Sequence, residues 1–251
     1  MSQMLALAGF GFLLGMRHAT DADHVIAVTT ILNRSKRFLD TTLIGALWGL
    51  GHTITVLIVG TLIIVFNVVI PPPVGLAMEF AVALMLIALG ILNLTGSLRS
   101  LTERMTPPAP IHAHDHVHGG ASHGHLHGHG AQPGLVATFG RYQLLRPIVV
   151  GLVHGLAGSA AVALLVLATI QDTGTAIAYL VIFCIGVAGG MAVLTTVIGL
   201  PFMVSGARSA RINRWLTIGS GLLSLLFGLL LAYEIGFVGG LFTGNFHWEP
   251  A

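Results

Sequence analysis

MRHATDADHVIAV, Met16–Val28, sets Arg17, His18, Asp21, Asp23 and His24 inside a run that is otherwise apolar. Ionisable side chains within a membrane span are costly and rare, so five of them in eight positions ask for a function. Two imidazoles and two carboxylates in one place point to a divalent metal ion. His and Asp are side chains that such an ion takes in exchange for water.

The rest of the chain fits a membrane setting. Charged residues make up 8% and hydrophobic residues 55%, and mean hydropathy is +0.90. A soluble domain carries about 25% charged residues. The pI near 9.1 does not signal a nucleic-acid partner, because eleven Lys and Arg in 251 residues form no basic patch. Cys184 is the single cysteine, which excludes an internal disulfide and a zinc ribbon. The N-terminus has neither the basic n-region nor the cleavage site of a signal peptide, so the first apolar segment is expected to remain as a membrane helix.

A helix needs roughly 20 apolar residues to cross a bilayer core. Six stretches qualify: Met4–Leu32, Thr42–Val65, Leu76–Leu98, Pro147–Ile170, Ile177–Val204 and Leu216–Ile235. The expected fold is an all-α polytopic membrane protein. Between the third and fourth stretches, Arg99–Arg146 is rich in His, Gly and Pro and lacks an apolar period, so it is expected to be largely disordered. This gives three regions: a first three-helix unit (1–98), the His-rich loop (99–146) and a second three-helix unit (147–251).

Alternate loops then divide the cations cleanly. Arg34, Lys36, Arg37, Arg99, Arg104, Arg141, Arg146, Arg208, Arg211 and Arg214 all fall on one side, and the other side has no Lys or Arg. By the positive-inside rule the basic loops and the His-rich segment are cytoplasmic, and both termini are outside the inner membrane.

The halves also align weakly. Gly15–His18 sits over Gly151–His154, Gly49–Leu57 over Gly186–Leu194, and Leu84, Gly90 and Leu92 over Leu222, Gly228 and Leu230. Three spans per half is an odd number, so the second half runs inverted. Inverted repeats mark secondary transporters, whose sites lie near the midplane between the repeats. His18 and His154 are then at equivalent depth.

In a straight helix His18 and His24 would lie about 9 Å apart along the axis, too far to share one ion. Thr20, Asp21 and Asp23 compete for backbone hydrogen bonds and weaken a helix interior. A break in the first helix is therefore expected, with His18, Asp21, Asp23 and His24 as candidate ligands. Arg17 and Asp21, four apart, are expected to pair. His52, in Trp48-Gly-Leu-Gly-His-Thr, and His154, in Gly151-Leu-Val-His-Gly-Leu-Ala-Gly-Ser, are further candidates, each with helix packing as the alternative role. Glu79 and Glu234 fall near outer span ends, where solvation is the simpler reading. Asn93 suits an interhelical hydrogen bond.

The loop carries His112, His114, His116, His118, His123, His125, His127 and His129, mostly at every second residue. Such tracts bind Ni²⁺, Co²⁺, Zn²⁺ or Cu²⁺. On the cytoplasmic side this one would be an accessory buffer or hand-over site. Binding through neutral imidazole weakens as pH drops below about 6.5.

Arg17-His-Ala-Thr-Asp-Ala-Asp-His24 resembles the signature of the nickel/cobalt transporter family, and Leu50-Gly-His-Thr53 is similar to that family's second motif. The resemblance implies secondary transport of Ni²⁺ or Co²⁺ across the cytoplasmic membrane, with no prosthetic group. It assigns His18, Asp23, His24 and His52 to metal handling. The family typically has eight spans and a second-half motif with Asp and Glu around Thr-Ala-Thr. Here Gly151–Ser159 stands in its place, and the chain looks more like the shorter, urease-accessory (UreH-like) branch. Cytoplasmic nickel chaperones and urease or hydrogenase maturation proteins are then the implied partners, beside the ion and the bilayer. Two other readings use the same residues: an efflux permease, and an accessory protein that delivers metal without transporting it. An intramembrane metalloenzyme would also need a general base and an organic-substrate cavity, and the sequence identifies neither. No Gly-x4-Gly-Lys-Ser/Thr is present to couple movement to ATP.

Overall fold

The computed structural model describes residues 2–31, 38–66, 70–97, 112–118, 121–127, 135–156, 170, 172–206 and 210–248. His129, Arg34, Lys36, Arg37, Arg99, Arg104 and Arg208 lie outside them. Seven α-helices are described: α1 (Ser2–His18), α2 (Ala22–Ile31), α3 (Phe38–Phe66), α4 (Pro72–Leu94), α5 (Leu135–His154), α6 (Thr173–Gly206) and α7 (Ala210–Tyr233). A π-helical turn, Glu234–Val238, extends α7.

Four of these helices are long and apolar enough to cross a membrane: Thr41–Phe66, Pro72–Leu94, Thr173–Leu200 and Arg214–Val238. Their outward faces carry apolar stripes. Leu50, Ile54, Ile58 and Leu62 recur every fourth residue along α3 and are all exposed, as are Ile185, Val193 and Val197 on α6. Stripes of this kind need lipid against them. The other two expected spans are not single long helices among the described residues. The first is divided into α1 and α2. The fourth shows only the apolar piece Leu144–His154 before residues that are not described.

The break in the first helix has a local cause. After His18 the backbone tightens, with Thr20 N–H donating to Arg17 O (2.8 Å) and Asp21 N–H to His18 O (3.1 Å). The Thr20 hydroxyl also donates to Arg17 O at 2.6 Å. These three-residue bonds use carbonyls that a continuing α-helix would engage four residues on. Helix α2 restarts at Ala22 with Asp23 in its first turn, where the helix dipole favours a carboxylate. The end of α5 has matching bonds: Gly155 N–H to Gly151 O (2.8 Å) and Leu156 N–H to Val153 O (3.2 Å), beside Ala19 N–H to Gly15 O (3.1 Å) in the first helix.

Glycine sets the interhelix contacts. A Cβ on Gly15 of α1 would fall on the carbonyl oxygen of Phe183 and crowd Val187 N in α6. A Cβ on Gly151 of α5 would fall on Trp48 O and crowd His52 N in α3. Likewise Gly186 of α6 abuts Phe12 of α1, and Gly51 of α3 abuts Ile148 of α5. In the remaining pair, Gly90 of α4 meets Gly221 and Leu225 of α7, while Gly228 of α7 meets Ala83 and Ile87 of α4. Small residues let membrane helices approach backbone to backbone, where dispersion and Cα–H contacts act. Helices α3 and α6 also pack on each other, and α2 lies against α4 and α7. Trp48, Leu86, Tyr179, Leu180, Phe183 and Met191 fill the centre.

Side-chain hydrogen bonds join the same elements. The Asn93 amide donates to Thr217 O and Ser220 Oγ, both at 3.2 Å, the interhelical role expected of it. Ser224 Oγ donates to Leu86 O (2.8 Å) and Thr55 Oγ1 to Leu152 O (3.0 Å). Cys184 is buried and unpaired with any other cysteine. At one rim Trp248 Nε1–H donates to Glu79 Oε1 at 2.9 Å, so Glu79 is held by an indole rather than simply solvated. Outside the spans, Asp172 caps α6 by accepting from Thr175 N (2.7 Å) and Thr175 Oγ1 (2.6 Å). These bonds hold its pKa below the usual carboxylate value. The cap therefore stabilises above the ordinary carboxylate titration and is lost as pH falls through the lowered value.

Within the loop expected to be largely disordered, β1 (His112–His118) and β2 (Ala121–His127) pair antiparallel, with His112 opposite His127, His114 opposite His125 and His116 opposite His123. His at every second residue is the period of a strand, and a short Gly-containing connection suits a hairpin.

Candidate metal site

The turn between α1 and α2 folds His24 back toward His18. Their ring centroids are 4.8 Å apart, against the separation of about 9 Å that a straight helix would impose. The Gly51 and Gly151 contacts draw α3 and α5 together, which carries His52 and His154 into the same place. His52 lies 5.2 Å from both His18 and His24, and His154 lies 4.2 Å from His24. His24, His52 and His154 are at most 1% exposed, and His18 is 6% exposed. All four histidines singled out in the apolar segments thus share one buried chamber.

The carboxylates settle which nitrogens carry protons. An ionised carboxylate only accepts, so each ring nitrogen bonded to one is a donor. His18 Nδ1–H donates to Asp21 Oδ2 at 2.8 Å. His24 Nδ1–H donates to Asp23 Oδ1 at 3.0 Å, and the His24 backbone N–H donates to the same oxygen at 2.9 Å. His154 Nε2–H donates to Asp23 Oδ2 at 2.8 Å. Asp23, 18% exposed, therefore bridges two helices, whereas Asp21, 44% exposed, serves one ring. Arg17 is exposed, and the expected Arg17–Asp21 pair gives way to His18–Asp21. The reason is local: the tight turn after His18 puts Asp21 against the ring of its own turn.

What remains are lone pairs. In neutral His18 and His24 the Nε2 atoms carry no proton once Nδ1 does. His18 Nε2 lies 3.3 Å from His52 Nε2, and His24 Nε2 has no hydrogen-bond partner. His52 Nδ1 and His154 Nδ1 are likewise unpartnered and buried. Two nitrogens on one ion at the usual bond length of about 2.1 Å stand roughly 3.0–3.4 Å apart, so the His18–His52 pair already has a ligand spacing. One donor atom from each of His18, His24 and His52 falls within 4.8 Å of the others, and so does one from each of Asp23, His24 and His154. Three rings, His18, His24 and His154, rest on carboxylates, the arrangement that orients metal-binding imidazoles and raises their basicity.

Sequence reasoning gave Trp48 no role. It is fully buried, lies nearly parallel to His24 at 5.6 Å (29° between planes) and meets His154 edge-on at 5.6 Å. The available signal was its place one helical turn before His52, on the same face. Phe183 of α6 stands beside His18 at 5.8 Å. Asp21 and Asp23 join the site at the backs of the rings in this geometry. The side chains of the hairpin histidines are not among those described.

The family model of high-affinity nickel-transport proteins (NicO) matches residues 4–236. The chain is 36% identical, over 239 residues, to the urease accessory protein UreH of Bacillus sp. (strain TB-90), covering 95% of this chain and 96% of that one. No solved structure matches.

Proposed function

Because this chain belongs to the NicO family of high-affinity nickel-transport proteins, we propose that it takes up Ni²⁺, with Co²⁺ as a second substrate, through the buried histidine chamber. The chain is a multi-pass membrane protein and, as a metal transporter, not an enzyme. The observation that carries the proposal is the convergence of His18, His24 and His52 with two ring backs on Asp21 and Asp23. Imidazole suits Ni²⁺, and the three nitrogens would replace part of its water shell. His154 enters the same chamber from α5, tied to His24 through Asp23. An inside-negative potential favours entry by about 2.3 kcal/mol per charge at 100 mV, and a divalent ion gains about twice that.

The architecture proposed around the site is six spans in two inverted three-helix repeats, 1–98 and 147–251. Support comes from the reciprocal glycine contacts: Gly15 on Phe183 and Gly186 on Phe12 between α1 and α6 have counterparts in Gly151 on Trp48 and Gly51 on Ile148 between α5 and α3, and Gly90 and Gly228 exchange places across α4 and α7. The basic loops would face the cytoplasm and both termini the outside. The His-rich hairpin and His129 would then meet incoming metal and pass it to cytoplasmic nickel chaperones or urease-maturation proteins. The name of the UreH relative also favours a second reading, delivery without transport. Flux of ⁶³Ni²⁺ into liposomes holding the purified protein separates the two. Transport that is lost in His18→Ala supports the permease. Absence of flux in wild type rejects it, and lower nickel accumulation in expressing cells than in empty ones would indicate export.

A further inference from the structure

We propose that the chamber holds two successive ion positions that share His24, so that an ion is handed from one to the other inside the protein. This rests on the nickel-transport reading above and says how the ion would move through that site.

Two donor sets lie in the chamber, and each meets a metal-ligand spacing by itself: His18, His24 and His52 in one, Asp23, His24 and His154 in the other. They are not one large cage. His52 and His154 stand 6.2 Å apart between ring centroids, and each belongs to a different set. His24 stands between them, at 5.2 Å from His52 and 4.2 Å from His154. An imidazole has two nitrogens, and here they have different surroundings. Nδ1 meets Asp23, a member of the second set, at 3.0 Å. Nε2 has no partner and is the atom left for His18 and His52.

The two positions differ in chemistry. The first offers three neutral imidazoles. The second offers two imidazoles and a carboxylate, harder and negatively charged, and so draws a divalent ion more by charge. For an ion at the second position, the protons on the two nitrogens that bond Asp23 move to the opposite, unpartnered nitrogens of the same rings, His24 Nε2 and His154 Nδ1, and both imidazoles stay neutral. His24 offers a donor to each position, Nε2 to the first and Nδ1 to the second, so an ion leaving one position meets the other nitrogen of the same ring. Two divalent ions at neighbouring positions repel strongly in such a medium, so occupancy alternates. The unpartnered, buried Nδ1 of His154 belongs to the same account. A histidine that served only helix packing would have no need of a carboxylate shared with His24.

The test uses the whole protein in detergent and in liposomes, with Ni²⁺ as probe. Equilibrium binding, nickel X-ray absorption and ⁶³Ni²⁺ flux are measured for wild type, His52→Ala, His154→Ala, His154→Gln and His24→Ala. In His154→Ala and His154→Gln, binding should stay within about threefold of wild type with an imidazole-rich spectrum, while flux falls about tenfold or more. Retained binding also shows that these variants fold. In His52→Ala an ion should remain, with fewer imidazoles and a carboxylate in its shell, and flux should stop. His24→Ala should lose both binding modes. Flux within about twofold of wild type in both His154 variants overturns the second position, and so does loss of all binding in His52→Ala. If instead His24→Ala and His52→Ala bind and transport like wild type, the chamber is not the transport site at all and the underlying reading fails.

Discussion

His18 and His154 each stand three residues after a glycine that touches a long helix, each ends its own helix, and each faces an aromatic ring of that long helix, Phe183 at 5.8 Å and Trp48 at 5.6 Å. Beyond this the two places diverge. Past His18 come Asp21, Asp23 and His24. One turn beyond Trp48 comes His52, whereas one turn beyond Phe183 comes Val187. The backbone contacts are matched, but the donors are concentrated in the first half, and the second half adds a single imidazole. Packing and chemistry are thus specified by different residues. Glycines and carbonyls fix where the helices cross, and the polar side chains can then be distributed unequally over a matched frame.

The largest effect should follow from removing a donor where chemistry is concentrated. His24→Ala is expected to bring ⁶³Ni²⁺ uptake to the level of cells without the protein, a loss of at least about 100-fold, because it belongs to both donor sets. Val187→Ala, at the place in α6 that corresponds to His52 in α3, is expected to leave uptake within about threefold. Equal losses in the two would mean that the chamber is sensitive to packing and not to donors.

Next come the carboxylates. Asp23→Asn removes the charge on which two rings and one backbone N–H rest and leaves one accepting oxygen where two served His24 and His154. Nickel affinity should fall about 100-fold, the upper end for groups that orient a ligand, and Asp21→Asn should fall only about tenfold. Asp21 orients one ring and is partly exposed. Isothermal titration with Ni²⁺ ranks the two, and the reverse order would place the metal on Asp21.

The matched frame makes its own prediction. Gly15→Ala and Gly151→Ala should each destabilise the protein by about 1–3 kcal/mol, since each new methyl meets backbone and not a flexible side chain. Thermal unfolding in detergent should give similar shifts for both. A large shift for one and none for the other would show that the correspondence of contacts has no energetic counterpart.

Much of this was readable from residues alone. An apolar chain with a single charged interruption predicts both the membrane and the break, because Thr20 and Asp21 turn the backbone there. The four intramembrane histidines were identifiable because an apolar span has no other use for so many. Atom-level roles were less accessible. Spacing says that His18 and Asp21 share a helix face, but not that the carboxylate holds Nδ1 and leaves Nε2 free. The Arg17–Asp21 pair was a reasonable helix rule applied where the helix has ended. Alignment also set Gly49 over Gly186, whereas the contacts match Gly51 with Gly186. In a glycine-rich, leucine-rich chain a two-residue slip changes few identities. Trp48 was passed over because a buried tryptophan is most often packing.

The smallest effect is expected farthest from the chamber, in the hairpin. Replacing His112, His114, His116, His118, His123, His125 and His127 by Gln leaves the buried donors intact, so flux at saturating Ni²⁺ into liposomes should change by less than about twofold. What should change is capacity. The register sets three histidine pairs directly opposite across β1 and β2, and opposed residues in such a ladder have Cβ atoms about 4.5–5.5 Å apart, within reach of a shared ion. Equilibrium dialysis of the full-length protein should therefore show weaker-bound nickel in excess of the chamber's, absent from the Gln variant. That excess should shrink as pH falls below about 6.5, where imidazole protonates and no longer coordinates. The buried donors converge three to an ion, whereas the hairpin offers opposed pairs, so the chamber's nickel should be retained to lower pH than the excess. If the Gln variant loses transport at saturating metal, the hairpin is part of the conducting path, and the division between a capturing loop and a conducting chamber fails.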